Sequence, residues 1–416
     1  MRTGIIQPLQ FIRAMSLPIV ITWLIVSSAY AQNGYVTTCG KQIISADGNP
    51  LMLKGTNLGN WLEPEGYMFK IKEANSPRLI YEVFDELIGQ EKSKKFWEAY
   101  RSNYITRKDI EFIKGLGLNS VRVPFNFKLF VDEDKPSQWD STGFQLLDSV
   151  VTWCREAGLW VILDMHCAPG GQTGDNIDDS YGYPFLFESE ESQRLTVELW
   201  QKIADRYRDE TTVIGFDLLN EPIAPYFDVE KINPLLEPLY KRITAAIREV
   251  DTNHLIFLGG AQWDSNFNVF GKPFDSKLVY TFHKYWSDTT QSVIQEYIDY
   301  REKYNVPVWL GESGENSDVW ISSFRRLLEG NNIGWCFWPY KKLDASTCLA
   351  SIKRTEAFDK IIEFANSDRS SFEKIRNKRP DSKIVENGLN EYLQDCLLEN
   401  CVINDGYIKS LGLNSK

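Results

Sequence analysis

Histidine is scarce in this chain, with three among 416 residues, and positive charge is in deficit: 46 Lys and Arg stand against 57 Asp and Glu, a net charge of −11. A surface of that sign repels nucleic acid and anionic headgroups, so neither is expected as a partner, while a neutral polymer is not repelled. Three histidines are also too few for a multi-histidine metal centre, which sets aside a metal-dependent hydrolase built on Asp164, His166 and His283. No Gly-rich phosphate loop follows the first strand-like run. No run beyond residue 31 is long and apolar enough to span a bilayer, and there is no internal repeat or low-complexity tract. The seven cysteines (39, 154, 167, 336, 348, 396 and 401) are scattered rather than set in a framework. Their odd number leaves at least one thiol unpaired within the chain, and the pairing of the others is open.

What is abundant is aromatic: 13 Trp, 19 Tyr and 23 Phe. Most aromatics fill cores, but flat rings also stack on sugar faces. Residues 1–31 read as a targeting leader. Arg2 and Arg13 supply positive charge, Leu17–Val26 is the apolar segment, and Ala29-Tyr30-Ala31 is a small-x-small cleavage site. A mature chain starting at Gln32 and secreted, extracellular or periplasmic, is expected, with no membrane attachment after cleavage. Residues 32–366 are then one domain, and 367–416 a C-terminal helical extension packed on it.

Apolar runs alternate with amphipathic segments along the chain. Strands are expected at 52–57, 120–124, 160–164, 214–219, 255–258, 279–282, 308–310 and 334–337, several of them apolar throughout, as strands buried on both faces must be. Helices are expected at 107–116, 142–157, 192–207, 235–250, 290–304 and 319–328, with further ones at 355–365 and 390–401. Eight β/α alternations without a change in composition predict a (β/α)8 barrel, an α/β fold, over a doubly wound open sheet. Three additions are expected: an N-terminal hairpin over 36–53 turning at Asp47-Gly48, a long β1–α1 insert over roughly 62–104 that shapes a cleft, and the C-terminal appendage.

In such a barrel, functional side chains gather at the C-terminal ends of the strands. Two glutamates stand at such ends, in Asn220-Glu221-Pro222 and Gly311-Glu312-Ser313. A pair of carboxyl groups facing one another across a cleft is what hydrolysis of a glycosidic bond requires: one protonates the leaving oxygen, the other attacks or activates water. The other strand ends supply Asn57 and Trp61, Arg122 and Asn126, Asp164 and His166, Asn220, His283 and Tyr285, and Trp338.

Arg122, His166, Asn220, Glu221, His283, Tyr285, Glu312 and Trp338, in that order, resemble the eight functional positions of glycoside hydrolase family 5, the cellulase family. The resemblance covers roughly residues 55–340. It implies a retaining β-glycosidase with Glu221 as general acid/base and Glu312 as nucleophile. The chemistry agrees: Glu221 must stay protonated, through burial or its partner's charge, and Glu312 must be ionised, with Arg122 supplying positive charge and Tyr285 a hydrogen bond. Asn220 is expected at the sugar 2-OH, His166 and His283 at hydroxyls or orienting the glutamates, and Trp338 as a stacking floor. No cofactor or metal is implied.

Within the family, Gly55–Leu62, His166–Gln172 and the stretch from Phe96-Trp97 to Phe130 look like the branch of exo-β-1,3-glucanases and β-glucosidases. That likeness implies a terminal-glucose role for Glu65 and a β-glucan oligo- or polysaccharide substrate, with a monomer the expected state. Asn60 replaces a usual glycine and Glu63-Pro64 usual apolar residues; expected at the mouth of the pocket, they leave an endo-β-1,4-glucanase as the alternative. A non-catalytic carbohydrate-binding barrel is the remote one. Trp61, Trp263 and Trp286 are candidate extra sugar platforms.

Overall fold

The computed structural model describes residue 4 and residues 34–414. The leader expected over 1–31 lies, Gly4 apart, outside the described residues. The strands are β1 (Thr37–Cys39), β2 (Gln42–Ile44), β3 (Lys54–Asn57), β4 (Ser120–Asn126), β5 (Trp160–Cys167), β6 (Val213–Asp217), β7 (Leu255–Gly259), β8 (Leu278–His283), β9 (Val308–Glu312), β10 (Gly334–Phe337), β11 (Lys341–Leu343), β12 (Ala350–Ile352) and β13 (Val402–Ile403). The eight from β3 to β10 close into a barrel. Every neighbouring pair is parallel, and β10 seals the ring against β3 with Trp335 opposite Lys54 and Phe337 opposite Thr56. This is the (β/α)8 architecture predicted from the sequence.

The all-apolar strands have a physical reason. Val213–Asp217 and Leu255–Gly259 are buried at every position because helices cover the outside while side chains fill the inside. Within the barrel, Leu53, Ile162, Ile214, Leu255, Phe257, Val279, Trp309 and Cys336 pack together, joined by Val36 and Ile43 from the N-terminal hairpin. Each such aliphatic side chain contributes about 1.5–3 kcal/mol by leaving water. The hairpin thus plugs the end of the barrel remote from the strands' C-termini. Its turn is at Gly40-Lys41, between β1 and β2, rather than at Asp47-Gly48. Asp47-Gly48 instead forms a second turn, closed by the Ser45 hydroxyl donating to the Asn49 carbonyl and by a bridge from Ile44 to Pro50.

Helix Thr142–Ala157 ends where expected, at Gly158 in the left-handed conformation, φ 70°. The helix expected from residue 235 begins at Val229 and runs to Val250 through Pro234 and Pro238. Asp228 caps it, and Ile232, Leu236, Leu239, Ile243 and Ile247 form one buried stripe, so packing outweighs the lost hydrogen bonds. The insert carries helices Pro77–Ile88 and Gln90–Tyr104. The helix expected at 390–401 runs instead over Ser382–Asp395, because Asp381 accepts from the Lys383 and Ile384 N–H groups and starts it earlier. It packs on Glu356–Ala365 and on both insert helices. The chain then returns as β13, antiparallel to β12. All seven cysteines are unpaired thiols.

Candidate active site

One guanidinium organises the C-terminal mouth of the barrel. Arg122, on β4, is fully buried and reaches three carboxylates: Asp217 Oδ2 at 2.8 Å, Asp164 Oδ1 at 3.1 Å and Glu312 Oε1 at 2.5 Å. Its remaining N–H groups donate to Asn57 Oδ1 and Asn220 Oδ1, which fixes both amides. Burying so much charge is tolerable only because it is paired and hydrogen-bonded. Even so, burial pushes Asp217 up to about 7.

Above this layer stand the two glutamates. His283, at the end of β8, has its Nδ1 2.8 Å from Glu221 Oε1 and 3.7 Å from Glu312 Oε2. One oxygen of Glu221, one of Glu312 and a nitrogen of His283 all lie within 4.8 Å of one another. Burial pushes Glu221 up to about 7, so below that pH it is a carboxylic acid. Burial also raises Glu312, against the pull of His283 and Arg122, and Tyr285 donates to Glu312 Oε2 at 3.1 Å. Burial lowers His283 to about 3, so its ring is neutral. An acid and a hydrogen-bonded carboxylate at this spacing suit proton donation on one side of a bond and nucleophilic attack on the other.

The flanking residues complete a cleft of about 610 Å³, lined by Glu65, His166, Asn220, Glu221, His283, Tyr285, Glu312 and Trp338 among others. His166 lies 2.8 Å from Asp164 Oδ2 and 3.3 Å from Glu65 Oε1. Burial opposes its charge, but Glu63 and Asp164 hold it well above the ordinary imidazole value. Glu63, Glu65 and His166 also bring donor atoms within 4.8 Å of one another. Trp338 stacks on His166 at 5.5 Å and 12° and donates to the Tyr67 hydroxyl at 2.5 Å. A side chain at Gly59 would come within 2.1 Å of the Trp338 ring, so only glycine lets that floor lie flat.

The backbone is strained where the acid is placed. Glu221 has φ 45°, and Gln262, Trp263 and Asp264 make a left-handed turn with φ 52°, 58° and 57°. Such conformations cost about 1 kcal/mol or more per residue and persist where packing enforces them. This turn sets Trp263 on the rim of the cleft and buries Asp264 under His283, 3.2 Å from Nε2, with Asp264 Oδ2 accepting the Glu221 N–H.

Some expectations need correction. Asn60 and Glu63 are fully buried below the cleft instead of lining its mouth: Glu63 Oε1 accepts the Asn60 N–H, and Asn60 Oδ1 accepts the Glu65 N–H. They brace the turn that carries Glu65. Trp61 is no platform; it is buried and its indole donates to the Arg101 carbonyl. Trp263 and Trp286 do line the cleft, 37% and 76% exposed. Asn126 is tied to Asp179 and is outside the cleft lining. Sequence reasoning missed Tyr67, Asp175, Asp264 and Glu315, which come from irregular connections with no periodic signal.

Comparison with known proteins places this geometry. The family model for "Cellulase (glycosyl hydrolase family 5)" matches residues 70–344. A beta-xylosidase from Phanerodontia chrysosporium is 35% identical over 245 residues, covering 57% of this chain and 48% of the relative. Endoglucanase C from Acetivibrio thermocellus is 27% identical over 352 residues, covering 70% and 91%. A glucan 1,3-beta-glucosidase from Lachancea kluyveri is 29% identical over 236 residues, covering 52% and 53%. The chain thus spans about half the length of the first and third of these relatives. Among solved structures, endoglucanase Cel5A from Thermotoga maritima shares the fold, with TM-score 0.50, 21% identity and coverage of 69% and 89%.

Proposed function

The chain belongs to glycosyl hydrolase family 5, and on that footing we propose that it is a secreted, monomeric, retaining β-glycosidase that hydrolyses β-linked glucans. One observation carries the reading: Glu221 and Glu312 bring carboxyl oxygens within 4.8 Å in one cleft, the first an acid up to about pH 7 and the second hydrogen-bonded by Arg122 and Tyr285. Retaining enzymes hold their carboxyl groups about 5–5.5 Å apart, whereas inverting ones leave room for a water at about 6.5–9.5 Å.

Glu312 attacks the anomeric carbon while Glu221 protonates the leaving oxygen. The glycosyl–enzyme ester that forms is then hydrolysed by a water from which Glu221, now a carboxylate, takes a proton. Asn220, held by Arg122, meets the 2-OH. Neutral His283, its Nδ1 2.8 Å from Glu221 Oε1, holds that carboxyl group in place and leaves its acidic proton for the leaving oxygen. Trp338 is the floor for the sugar ring. Both carboxyl groups and water suffice for the balance of protons.

The exo-acting reading, on β-1,3-glucan or a β-glucoside, draws on the likeness to the glucan 1,3-beta-glucosidase and on Glu65 in the lining of the cleft. The endo-acting one draws on the likeness to endoglucanase C and on the exposed rim rings Trp263 and Trp286. Product analysis on laminarin, cellulose oligomers and β-1,6-glucan tests both: glucose as the sole early product means exo action, a ladder means endo. Inversion at the anomeric carbon, followed by NMR of the first product, overturns the mechanism. Export is tested by N-terminal sequencing of the mature chain, expected to begin at Gln32.

A further inference from the structure

The wall beyond Trp338 holds charge that the chemistry of Glu221 and Glu312 does not use. Glu315 follows Glu312 by three residues, in a left-handed conformation of φ 50°, just after Gly314, whose backbone bridges to Trp338. Its Oε2 pairs with Lys342 Nζ at 2.5 Å. Lys342 is itself buried and lies 4.6 Å over the ring of Tyr67, which receives the Trp338 indole N–H. Lysine, tyrosine and tryptophan thus hold one side of this carboxylate in place.

The other oxygen has no protein partner among the described residues. Glu315 lines the cleft, its side chain is 16% exposed, and its Oε1 is buried with no hydrogen-bond partner. On the same wall Glu65 Oε2 is also unpartnered, on a side chain only 3% exposed. Buried carboxylate oxygens are ordinarily satisfied, and an unsatisfied one in a cleft points to a donor brought by a ligand. A sugar hydroxyl is such a donor. Glu315 shares the cleft lining with Trp338, the floor for the ring, and is tied to it through Lys342 and Tyr67.

We propose that Glu315 is a specificity-determining residue: its Oε1 accepts a hydrogen bond from one of the hydroxyls on C3, C4 or C6 of the sugar whose anomeric carbon lies between Glu221 and Glu312, while Lys342 anchors its other oxygen. The inference rests on the glycosidase reading above. It makes this end of the cleft read a particular hydroxyl instead of merely accommodating a ring.

The test compares wild type, Glu315→Asn and Glu315→Ala on p-nitrophenyl β-D-glucoside and its 3-, 4- and 6-deoxy analogues. Asparagine tolerates the left-handed backbone and is too short to reach the ligand, so it separates recognition from folding. On the parent substrate both variants should lose about 10- to 100-fold in kcat/KM, the effect of one hydrogen bond to a charged group. On the single analogue that lacks the bonded hydroxyl, variant and wild type should agree within about twofold, because the partner is already gone. An equal loss on all four substrates, or no loss on the parent, overturns the assignment. Wild type inactive on all four yet active on laminarin or cellulose oligomers also overturns the assignment to a glucosyl hydroxyl; wild type inactive on those polymers as well would instead bring down the glycosidase reading, and this inference with it.

Discussion

Glu221→Gln is expected to make the protein more stable at pH 8 while removing most of its activity. The acid is 12% exposed, and burial raises it from an ordinary 4.5 to about 7. Between those two values the folded protein holds a proton that the unfolded chain has released. Raising the pH through that window therefore destabilises the fold. At about 1.4 kcal/mol per pH unit, the raised titration of Glu221 costs the folded state about 3 kcal/mol at pH 8 and about 1 kcal/mol at pH 5. Glutamine has the same shape, carries no charge and can still donate to His283 Nδ1, so it escapes this cost. Urea unfolding of both proteins across pH 5–8 measures the difference, provided the slopes match. The stability gap should widen in favour of Glu221→Gln by about 2 kcal/mol over that range. A gap that stays constant with pH would refute the claim that Glu221 is forced to hold its proton. It would also remove the physical basis for its role as the acid, because stability given up at a site is expected where function needs a strained group.

The same ionisation should appear in catalysis. kcat/KM should fall about tenfold between pH 6 and pH 8 on a basic limb near 7, and the acid limb, set by Glu312, should lie above 4.5; a flat profile to pH 9 contradicts both assignments. Glu312→Gln should abolish turnover with a near-native circular dichroism spectrum and melting curve, and ordinary rates in that variant remove the nucleophile. Glu221→Ala should lose activity on poor leaving groups and partly recover with activated aryl glycosides plus azide, seen as a glycosyl azide product; no recovery counts against the acid/base role. Arg122→Met should destabilise by about 3–5 kcal/mol in urea unfolding, because it strands Asp164, Asp217 and Glu312 as buried carboxylates around a missing cation. A loss below 1 kcal/mol would mean that the ion cluster is not the keystone described here.

The order of the elements was legible in the chain because its cause is local. A strand covered on both faces must be apolar throughout, and an amphipathic segment between two such strands must be a helix laid on their outside. Hence Gly334–Phe337 and Thr142–Ala157 have the boundaries read from sequence; Glu312 closes its strand as expected, whereas Arg122 lies inside β4 and Glu221 four residues beyond β6. Where a cap or a packed face overrode a local signal, as at Asp228 with its two downstream prolines and at Asp381, the reading of the boundary shifted by several residues.

Sequence alone therefore determined the barrel and the identity of the groups at its mouth, since residue type and period are properties of each segment by itself. The tertiary structure decided everything that depends on distance. It put Asn60 and Glu63 beneath the pocket instead of around it, turned Trp61 inward, drew Tyr67 and Glu315 into the cleft, and buried Asp264 under His283. It also set which carboxyl keeps its proton. Glu221 and Glu312 are the same residue type, one in the loop after β6 and the other the last residue of β9, and burial, one guanidinium and one tyrosine hydroxyl make them different.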